Sequence, residues 1–134
     1  MSADDARTHA ALRASEQRAR DEAPTLPPAT AFATHYAVSC LPADHPERDM
    51  WGVTVEYRGR GRWAVKKRGH WCLSVDGEWS YESIPSERTD EWLAAHRFDL
   101  ETALRLAKEQ APLVTVNGFT VSDVLRRSDE EAGR

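Results

Sequence analysis

Six of the 18 lysine and arginine residues lie between positions 58 and 70, in a stretch without any acidic residue. The rest of the chain has 22 acidic residues against the other 12 basic ones, and the net charge is -4. Clustered guanidinium and ammonium groups bind phosphates and carboxylates. We therefore predict a basic binding surface formed by Arg58, Arg60, Arg62, Lys66, Lys67, Arg68 and His70.

Two cysteines and two histidines carry the atoms of a tetrahedral zinc site: Cys40, His45, His70 and Cys72. Their spacing argues against such a site, because neither Cys-x-x-Cys nor His-x3-His occurs. Alternation along the strands also places Cys40 and Cys72 on opposite sheet faces. We predict no metal, no cofactor and two reduced thiols, since two cysteines are too few for a secreted disulfide framework.

Catalysis would require a nucleophile beside a base, or paired carboxylates in a cleft. Ser86, His96 and either Asp90 or Asp99 could be drawn as a serine hydrolase triad. Ser86 and Asp99 are better explained as helix caps, however. The run Arg58-Gly59-Arg60-Gly61 opens a strand, whereas a phosphate loop opens a helix. A small hydrolase-type enzyme therefore ranks below a binding role, and we predict no catalytic residue.

The basic stretch belongs to a Gly-x-Trp repeat with a period of eight, seen at Gly61-Arg62-Trp63, Gly69-His70-Trp71 and Gly77-Glu78-Trp79. Such a period fits strands of about five residues joined by three-residue hairpin loops that end in glycine. The predicted loops are 59–61, 67–69 and 75–77. The cross-strand pairs that follow are Tyr57–Trp63, Val65–Trp71, Trp63–Leu73, Leu73–Trp79 and Trp71–Tyr81.

All of these paired residues share one face, so Trp63, Trp71 and Trp79 are predicted to be buried. Trp71 lies at the centre of the repeat, and its truncation to alanine should cost about 3 to 5 kcal/mol. The opposite face is mostly polar. We predict that this polar face is exposed and that it includes Arg62, Ala64, Lys66, His70 and Cys72.

Two further alternating stretches, 32–40 and 51–57, bring the sheet to about five antiparallel strands. Two helices are predicted to cover the tryptophan face, at 87–96 after a Ser86 cap and at 100–110 after an Asp99 cap. The remaining elements are an Asn117-Gly118 hairpin and a last helix from Ser122 to Arg127. The fold class is therefore α+β, an antiparallel β-meander with two to three helices packed on one face.

The chain divides into three predicted parts. Residues 1–31 form a flexible N-terminal helix and a Pro-rich tether, 32–127 form a single α+β domain, and 128–134 form a disordered tail. There is no apolar run of membrane-spanning length, and the acidic amino terminus lacks the apolar core of a signal peptide. We predict a cytoplasmic protein that does not contact membranes.

A resemblance extends over residues 51–121. The motifs Trp63-Ala64-Val65, Asp76-Gly77-Glu78-Trp79, His96-Arg97-Phe98 and Val116-Asn117-Gly118 resemble small uncharacterised proteins of high-GC actinobacteria and their phages. The resemblance implies no activity, substrate or catalytic residue. It implies a bacterial cytoplasmic setting and an accessory role connected with mobile elements.

Together, these features predict a small non-catalytic binding module that contacts a macromolecular partner through a basic, exposed sheet face. A protein is the preferred partner, and nucleic acid bound by the 58–70 hairpins is the alternative. Two features count against nucleic acid. The chain is acidic overall, and its aromatic residues are predicted to face inward, whereas single-strand binding platforms turn them outward. The sequence does not determine the oligomeric state.

Overall fold

The computed structural model describes residues 3–133 and divides the chain into two units, Met1–Phe32 and Ala33–Arg134. Met1, Ser2 and Arg134, at the ends of the predicted tether and tail, lie outside the described residues. In the first unit, helix α1 spans Ala3–Glu22 and is followed by a 3-10 turn at Ala23–Thr25. The side chains of α1 are exposed, because the helix has no apolar stripe to bury.

The second unit is built on a five-stranded antiparallel sheet whose strands lie side by side in chain order. The strands are β1 (His35–Ser39), β2 (Gly52–Tyr57), β3 (Trp63–Lys67), β4 (Trp71–Leu73) and β5 (Trp79–Tyr81). This architecture confirms the predicted α+β meander.

Three-residue loops set the register of the repeat. The first and third loops, 59–61 and 75–77, are confirmed as predicted. All three residues of the first loop have positive φ angles, as does Gly77 at the end of the third. The predicted pairs on either side of these loops are therefore present: Tyr57–Trp63, Leu73–Trp79 and Trp71–Tyr81.

The second loop departs from the prediction. It consists of residues 68–70, and it ends in His70, whose φ is 67°. Lys67 therefore pairs with Trp71, in place of the predicted Val65. A shift of two residues leaves the alternation of side chains unchanged, so the tryptophan face remains one face.

The main core lies between the tryptophan face and helix α3 (Leu100–Gln110). Ala103 and Ala107 of α3 pack against the sheet residues Val53, Val55, Trp63, Val65 and Leu73. The predicted bounds of this helix and its cap are confirmed. Asp99 accepts a hydrogen bond of 2.8 Å from the backbone N–H of Thr102, which lowers the pKa of Asp99.

The burial of the three repeat tryptophans is unequal. Trp63 is 7% exposed and Trp79 is half-buried, but Trp71 is 42% exposed. The prediction that Trp71 is buried is therefore wrong, and a core-like cost of truncation is no longer expected. The reason is that α3 packs mainly on β1, β2 and β3, whereas Trp71 begins the short strand β4.

The first helix after the sheet begins later in the chain than predicted. Ser86 lies in a 3-10 turn at Pro85–Glu87 and makes no side-chain cap. Helix α2 spans Asp90–Ala95, and its N-cap is Thr89, whose hydroxyl accepts from the backbone N–H of Trp92 at 3.0 Å. The predicted Ser86 cap is therefore wrong.

The predicted Asn-Gly hairpin is present. Strands β6 (Thr115–Val116) and β7 (Phe119–Thr120) pair across Asn117 and Gly118, and both turn residues have positive φ angles. This is the conformation that a type I′ turn requires.

The last helix, α4, spans Val121–Ala132 and begins at a different cap from the predicted Ser122. Thr120 accepts from the backbone N–H of Asp123 at 3.2 Å, while the Asp123 carboxylate accepts from the backbone N–H of Thr120 at 2.8 Å. This reciprocal pair is a capping box. The backbone hydrogen bond also lowers the pKa of Asp123.

Helix α4 continues into the stretch 128–134, which was predicted to be a disordered tail. Ser128 lies 2.9 Å from a ring nitrogen of His45, in the loop after β1. A second apolar cluster supports the start of the helix, formed by Leu41, Trp51, Val121 and Val124. Helix α4 thus includes residues 128–132, and the Ser128–His45 contact joins this part of the helix to the loop after β1.

Candidate anion-binding site

Residues 96–98 cross from one sheet face to the other between β3 and β4. β4 pairs with only the last part of β3, at Lys66 and Lys67. Phe98 takes the vacant place beside Trp63, with backbone hydrogen bonds of 2.8 and 2.9 Å in the two directions. Phe98 then belongs to the core on the tryptophan face, while His96 contacts the polar face.

The crossing segment covers part of the polar face. Ala64 and Cys72, which were predicted to lie on this exposed face, are fully buried. The Lys66 side chain, which was also predicted to be exposed, is only 13% exposed, because it turns towards Glu82. The Cys72 thiol lies 3.9 Å from the backbone oxygen of His96. Burial, reinforced by the nearby charge of Glu82, raises the pKa of Cys72 to about 11. The thiol is therefore protonated at neutral pH and is not a nucleophile.

His96 holds the crossing segment against the sheet. Its Nδ1 lies 2.7 Å from the carbonyl oxygen of Trp92, and its Nε2 lies 2.7 Å from the Ser80 hydroxyl. Because a carbonyl can only accept, Nδ1 carries a proton and donates to Trp92, while Nε2 and the Ser80 hydroxyl share a second hydrogen bond. The ring also stacks on Trp92 at 4.0 Å between centroids. His96 is 7% exposed and both of its nitrogens are engaged.

The triad that we considered from the sequence is not assembled. Ser86 is on the 3-10 turn, and the side chain of Asp99 accepts from Thr102 at the start of α3. His96 is bonded to Ser80. The Ser80–His96 pair has the atom types of a nucleophile and a base. The His96 ring, however, is held by Ser80 of β5 and by the carbonyl of Trp92 in α2, so it joins the sheet to that helix.

Glu82 is the centre of the polar face. Its side chain is 2% exposed, and four cations lie within 4.0 Å of its carboxylate. The contacts are Arg58 at 2.9 Å, Lys66 at 3.1 Å and Arg88 at 3.6 Å on Oε1, and Arg97 at 3.1 Å on Oε2. Burial by itself would raise the pKa of Glu82, but the hydrogen bond from Lys66 and the surrounding positive charges outweigh it and lower the pKa to about 2. Glu82 is therefore ionised at neutral pH.

Positive charge exceeds negative charge around Glu82. Arg58 has a second carboxylate, Glu56, at 3.7 Å. In the described part of the chain, four cations thus share two carboxylates. The cationic side chains are only 7 to 25% exposed, so water screens their mutual repulsion incompletely. The cluster therefore has a net positive charge that is only partly screened.

Two pockets open beside Arg58, and we call the two together the basic groove. The first, of about 250 Å³, is lined by residues Arg58, Gly59, Arg60, Arg62, Leu93, Ala94 and Arg97. We call it the four-arginine pocket. The second, of about 470 Å³, is lined by Arg58, Lys66, His70, Arg88, Glu82 and Tyr81.

Tyr81, an exposed aromatic residue, lines the basic groove, and the exposed ring of Trp71 lies next to Tyr81. Tyr81 is 59% exposed and Trp71 is 42% exposed, so the prediction that the aromatic residues all face inward is wrong. The two rings meet edge-on at 6.5 Å, and the His70 ring lies 6.2 Å from Tyr81. Cations beside exposed aromatic rings are the combination found on single-strand nucleic-acid platforms.

Comparisons of the chain with family models, with curated proteins and with solved structures give no match. The geometry of the site therefore carries the functional argument. Among residues 3–133, no helix is long and apolar enough to cross a bilayer. The same residues contain no group of three histidine, cysteine or acidic side chains that could hold a metal ion.

The structure divides the seven residues of the predicted basic surface between two faces. Five line the basic groove: Arg58, Arg60, Arg62, Lys66 and His70. Lys67 and Arg68 instead line a pocket of about 240 Å³ that includes Trp71 and Trp79. There the Lys67 ammonium lies 4.6 Å from the centre of the Trp79 ring, a cation–π contact.

Sequence reasoning missed three residues of the groove: Glu82, Arg88 and Arg97. A signal for Glu82 was present, since alternation through Cys72 and Ser80 places Glu82 on the polar face. Arg88 and Arg97 come from the segments after the sheet, and only the chain crossing brings Arg97 beside Glu82. No local pattern identifies such a contact.

Proposed function

We propose that this protein is a small non-catalytic binding module that contacts an anionic macromolecular partner through the basic groove. The observation that carries this proposal is the excess of positive charge. Four cations share Glu82 and Glu56. In the part of the chain that the structure describes, neither Arg60 nor Arg62 has a carboxylate within 4.0 Å. Charges held in this way attract phosphates or carboxylates.

Single-stranded nucleic acid is the partner that we propose first. The sequence favoured a protein partner partly because the aromatic residues were predicted to face inward. The exposure of Trp71 and Tyr81 removes that reason. In this proposal the groove binds the phosphate backbone, and the Tyr81 ring stacks on a base.

An acidic segment of a protein is the second candidate. The net charge of -4 favours it over nucleic acid, because an overall negative charge repels a densely charged polyanion more strongly than a short acidic segment. In this case the groove holds the carboxylates of the partner, and a few central arginine and tyrosine side chains contribute most of the affinity.

Fluorescence titrations with labelled single-stranded DNA, single-stranded RNA and duplex DNA at two salt concentrations test the proposal. We expect single strands to bind more tightly than duplex, and log K to fall linearly with log salt. Tyr81→Ala should weaken binding. Its matched control is Phe119→Ala, since Tyr81 and Phe119 are 59% and 58% exposed and Phe119 lies on the separate hairpin.

Single strands that fail to bind at low salt would refute the nucleic-acid proposal. Equal losses in the Tyr81 and Phe119 variants would remove the stacking role. A labelled acidic peptide, titrated in parallel, would then show whether the groove takes carboxylates instead.

We further propose a cytoplasmic accessory role in an actinobacterial or phage setting. The support for this setting is the sequence resemblance over residues 51–121. Immunoblots of soluble and membrane fractions from a native host would test the location.

A further inference from the structure

We propose that the four-arginine pocket is a phosphate-binding subsite and that Glu82 is the positioning residue that holds two of its arginines. The identity of the natural ligand, a backbone phosphate of single-stranded nucleic acid, rests on the proposed function. The subsite itself rests on the geometry of the pocket.

Glu82 fixes two of the four guanidinium groups. Its Oε1 is 2.9 Å from Arg58 and its Oε2 is 3.1 Å from Arg97. Arg97 also donates to the backbone oxygen of His96 at 2.9 Å. Both guanidinium groups are thus in place before a ligand binds, which lowers the entropy lost on binding.

The other two arginines are available for a ligand. Arg60 and Arg62 belong to the tight loop after β2, and both are exposed. Among the side chains that the structure describes, no carboxylate lies within 4.0 Å of either guanidinium group. Arg58 also lines this pocket, and its Nε atom is buried without a hydrogen-bond partner among the described residues. The side chain of Arg58 therefore has donor capacity that these residues do not use.

The composition of the lining distinguishes this pocket from its neighbour. Glu82 lines the larger pocket beside Lys66 and partly neutralises it, whereas the four-arginine pocket has no acidic lining residue. Guanidinium groups donate in pairs to oxyanions. Arg60 and Arg62 alone offer more N–H donors than the two oxygens of a carboxylate accept, and the additional oxygens of phosphate match this set better.

Titration of the ¹⁵N-labelled full chain with inorganic phosphate at low ionic strength tests the subsite. We expect the side-chain Nε–Hε signals of Arg58, Arg60, Arg62 and Arg97 to shift while that of Arg105, on α3, does not. The double variant Arg60→Ala/Arg62→Ala should bind phosphate at least about tenfold more weakly. Arg105→Ala is the matched control and should bind as the wild type does.

The role of Glu82 is tested by Glu82→Gln, assayed at a temperature at which circular dichroism shows it folded. The variant gains one net positive charge, so simple attraction would make phosphate bind more tightly. A positioning role makes phosphate bind more weakly, because Arg58 and Arg97 lose their shared anchor. Tighter binding would overturn the positioning role. If Glu82→Gln does not fold, Glu82→Asp keeps the charge but shortens the side chain. Weaker phosphate binding is again expected, and unchanged or tighter binding would overturn the positioning role.

Single-stranded DNA separates the subsite from the proposed function. In the Arg60→Ala/Arg62→Ala variant, the slope of log K against log salt should fall by about two units. An unchanged slope with intact DNA binding would overturn the subsite and leave the proposed function standing. Phosphate shifts in a protein that does not bind DNA would keep the subsite and overturn the nucleic-acid partner. Absence of phosphate-dependent shifts at the four arginines would overturn the subsite directly.

Discussion

The substitution Glu82→Gln also tests whether the charge of one carboxylate supports the fold. Glutamine keeps the shape of the side chain but leaves four cations without their shared anion. Removing one partner of a buried ion pair typically costs about 3 to 5 kcal/mol. The pKa supplies a second figure, since a fall from 4.5 to about 2 corresponds to about 3 kcal/mol at about 1.4 kcal/mol per pKa unit. We therefore expect the free energy of unfolding at pH 7 to fall by about 3 kcal/mol.

The pH dependence separates this charge effect from a change in packing. The folded-state pKa of Glu82 lies below the unfolded value, so the ionised carboxylate stabilises the fold above pH 4.5 and loses this contribution as the pH falls towards about 2. The difference between wild type and Glu82→Gln should therefore be constant near neutral pH and shrink over that acid range. Urea unfolding followed by tryptophan fluorescence is the suitable assay, because urea, unlike guanidinium chloride, does not screen charges.

Glu56→Gln is the matched control for this measurement. Glu56 is 28% exposed and lies 3.7 Å from a single cation, Arg58. Partly exposed pairs of this kind contribute about 1 kcal/mol or less. Equal stability of wild type and Glu82→Gln at pH 7 would refute the reasoning. So would a difference that remains unchanged in the acid range.

Three further outcomes follow from burial and capping. Trp63→Ala should lower the free energy of unfolding by about 3 to 5 kcal/mol, whereas Trp71→Ala should lower it by less than about 2 kcal/mol. Equal losses in urea titrations would contradict the difference in exposure between the two tryptophans. Iodoacetamide should label Cys40 in the native protein and Cys72 only after unfolding, and mass spectrometry showing two labels on folded protein would contradict the burial of Cys72. Thr120→Ala should cost about 1 kcal/mol as a lost helix cap, and a wild-type urea midpoint would count against the capping box.

The parts of the fold that could be predicted from sequence depend on local patterns. The meander follows from an eight-residue repeat with glycine at the loop ends, and two of the three loops have the predicted register. Helix α3 has the predicted bounds because Asp99 is a strong cap and the apolar positions recur at helical spacing. These features involve residues close together in the chain.

The errors have a different origin. The second loop ends in His70, a residue less suited to a positive φ than the glycine before it. Thr89 and Thr120 cap helices where nearby serines were predicted, because each helix begins where its side chains can pack or pair. Burial of the polar face depends on residues 96–98, which are distant in sequence from the strands that they contact.

Two small residues in the sequence indicated that another segment covers the polar face. Ala64 and Cys72 interrupt a row of polar side chains, and both are fully buried. Small side chains at these positions allow the crossing segment to approach the sheet, as the contact of Cys72 with the backbone of His96 shows. A polar sheet face with small apolar residues in its middle is better interpreted as a buried polar layer than as a solvent-exposed surface.

The short strand β4 connects the fold to the candidate site. Because β4 leaves the first half of β3 without a partner on that edge, Phe98 can form its backbone bonds with Trp63. That placement fixes the residue before it, Arg97, on the polar face within 3.1 Å of Glu82. The cation excess of the basic groove is thus a consequence of sheet geometry and not of the basic stretch alone. Any substitution that lengthened the β3–β4 pairing would displace Arg97 and should weaken anion binding without changing a single charge.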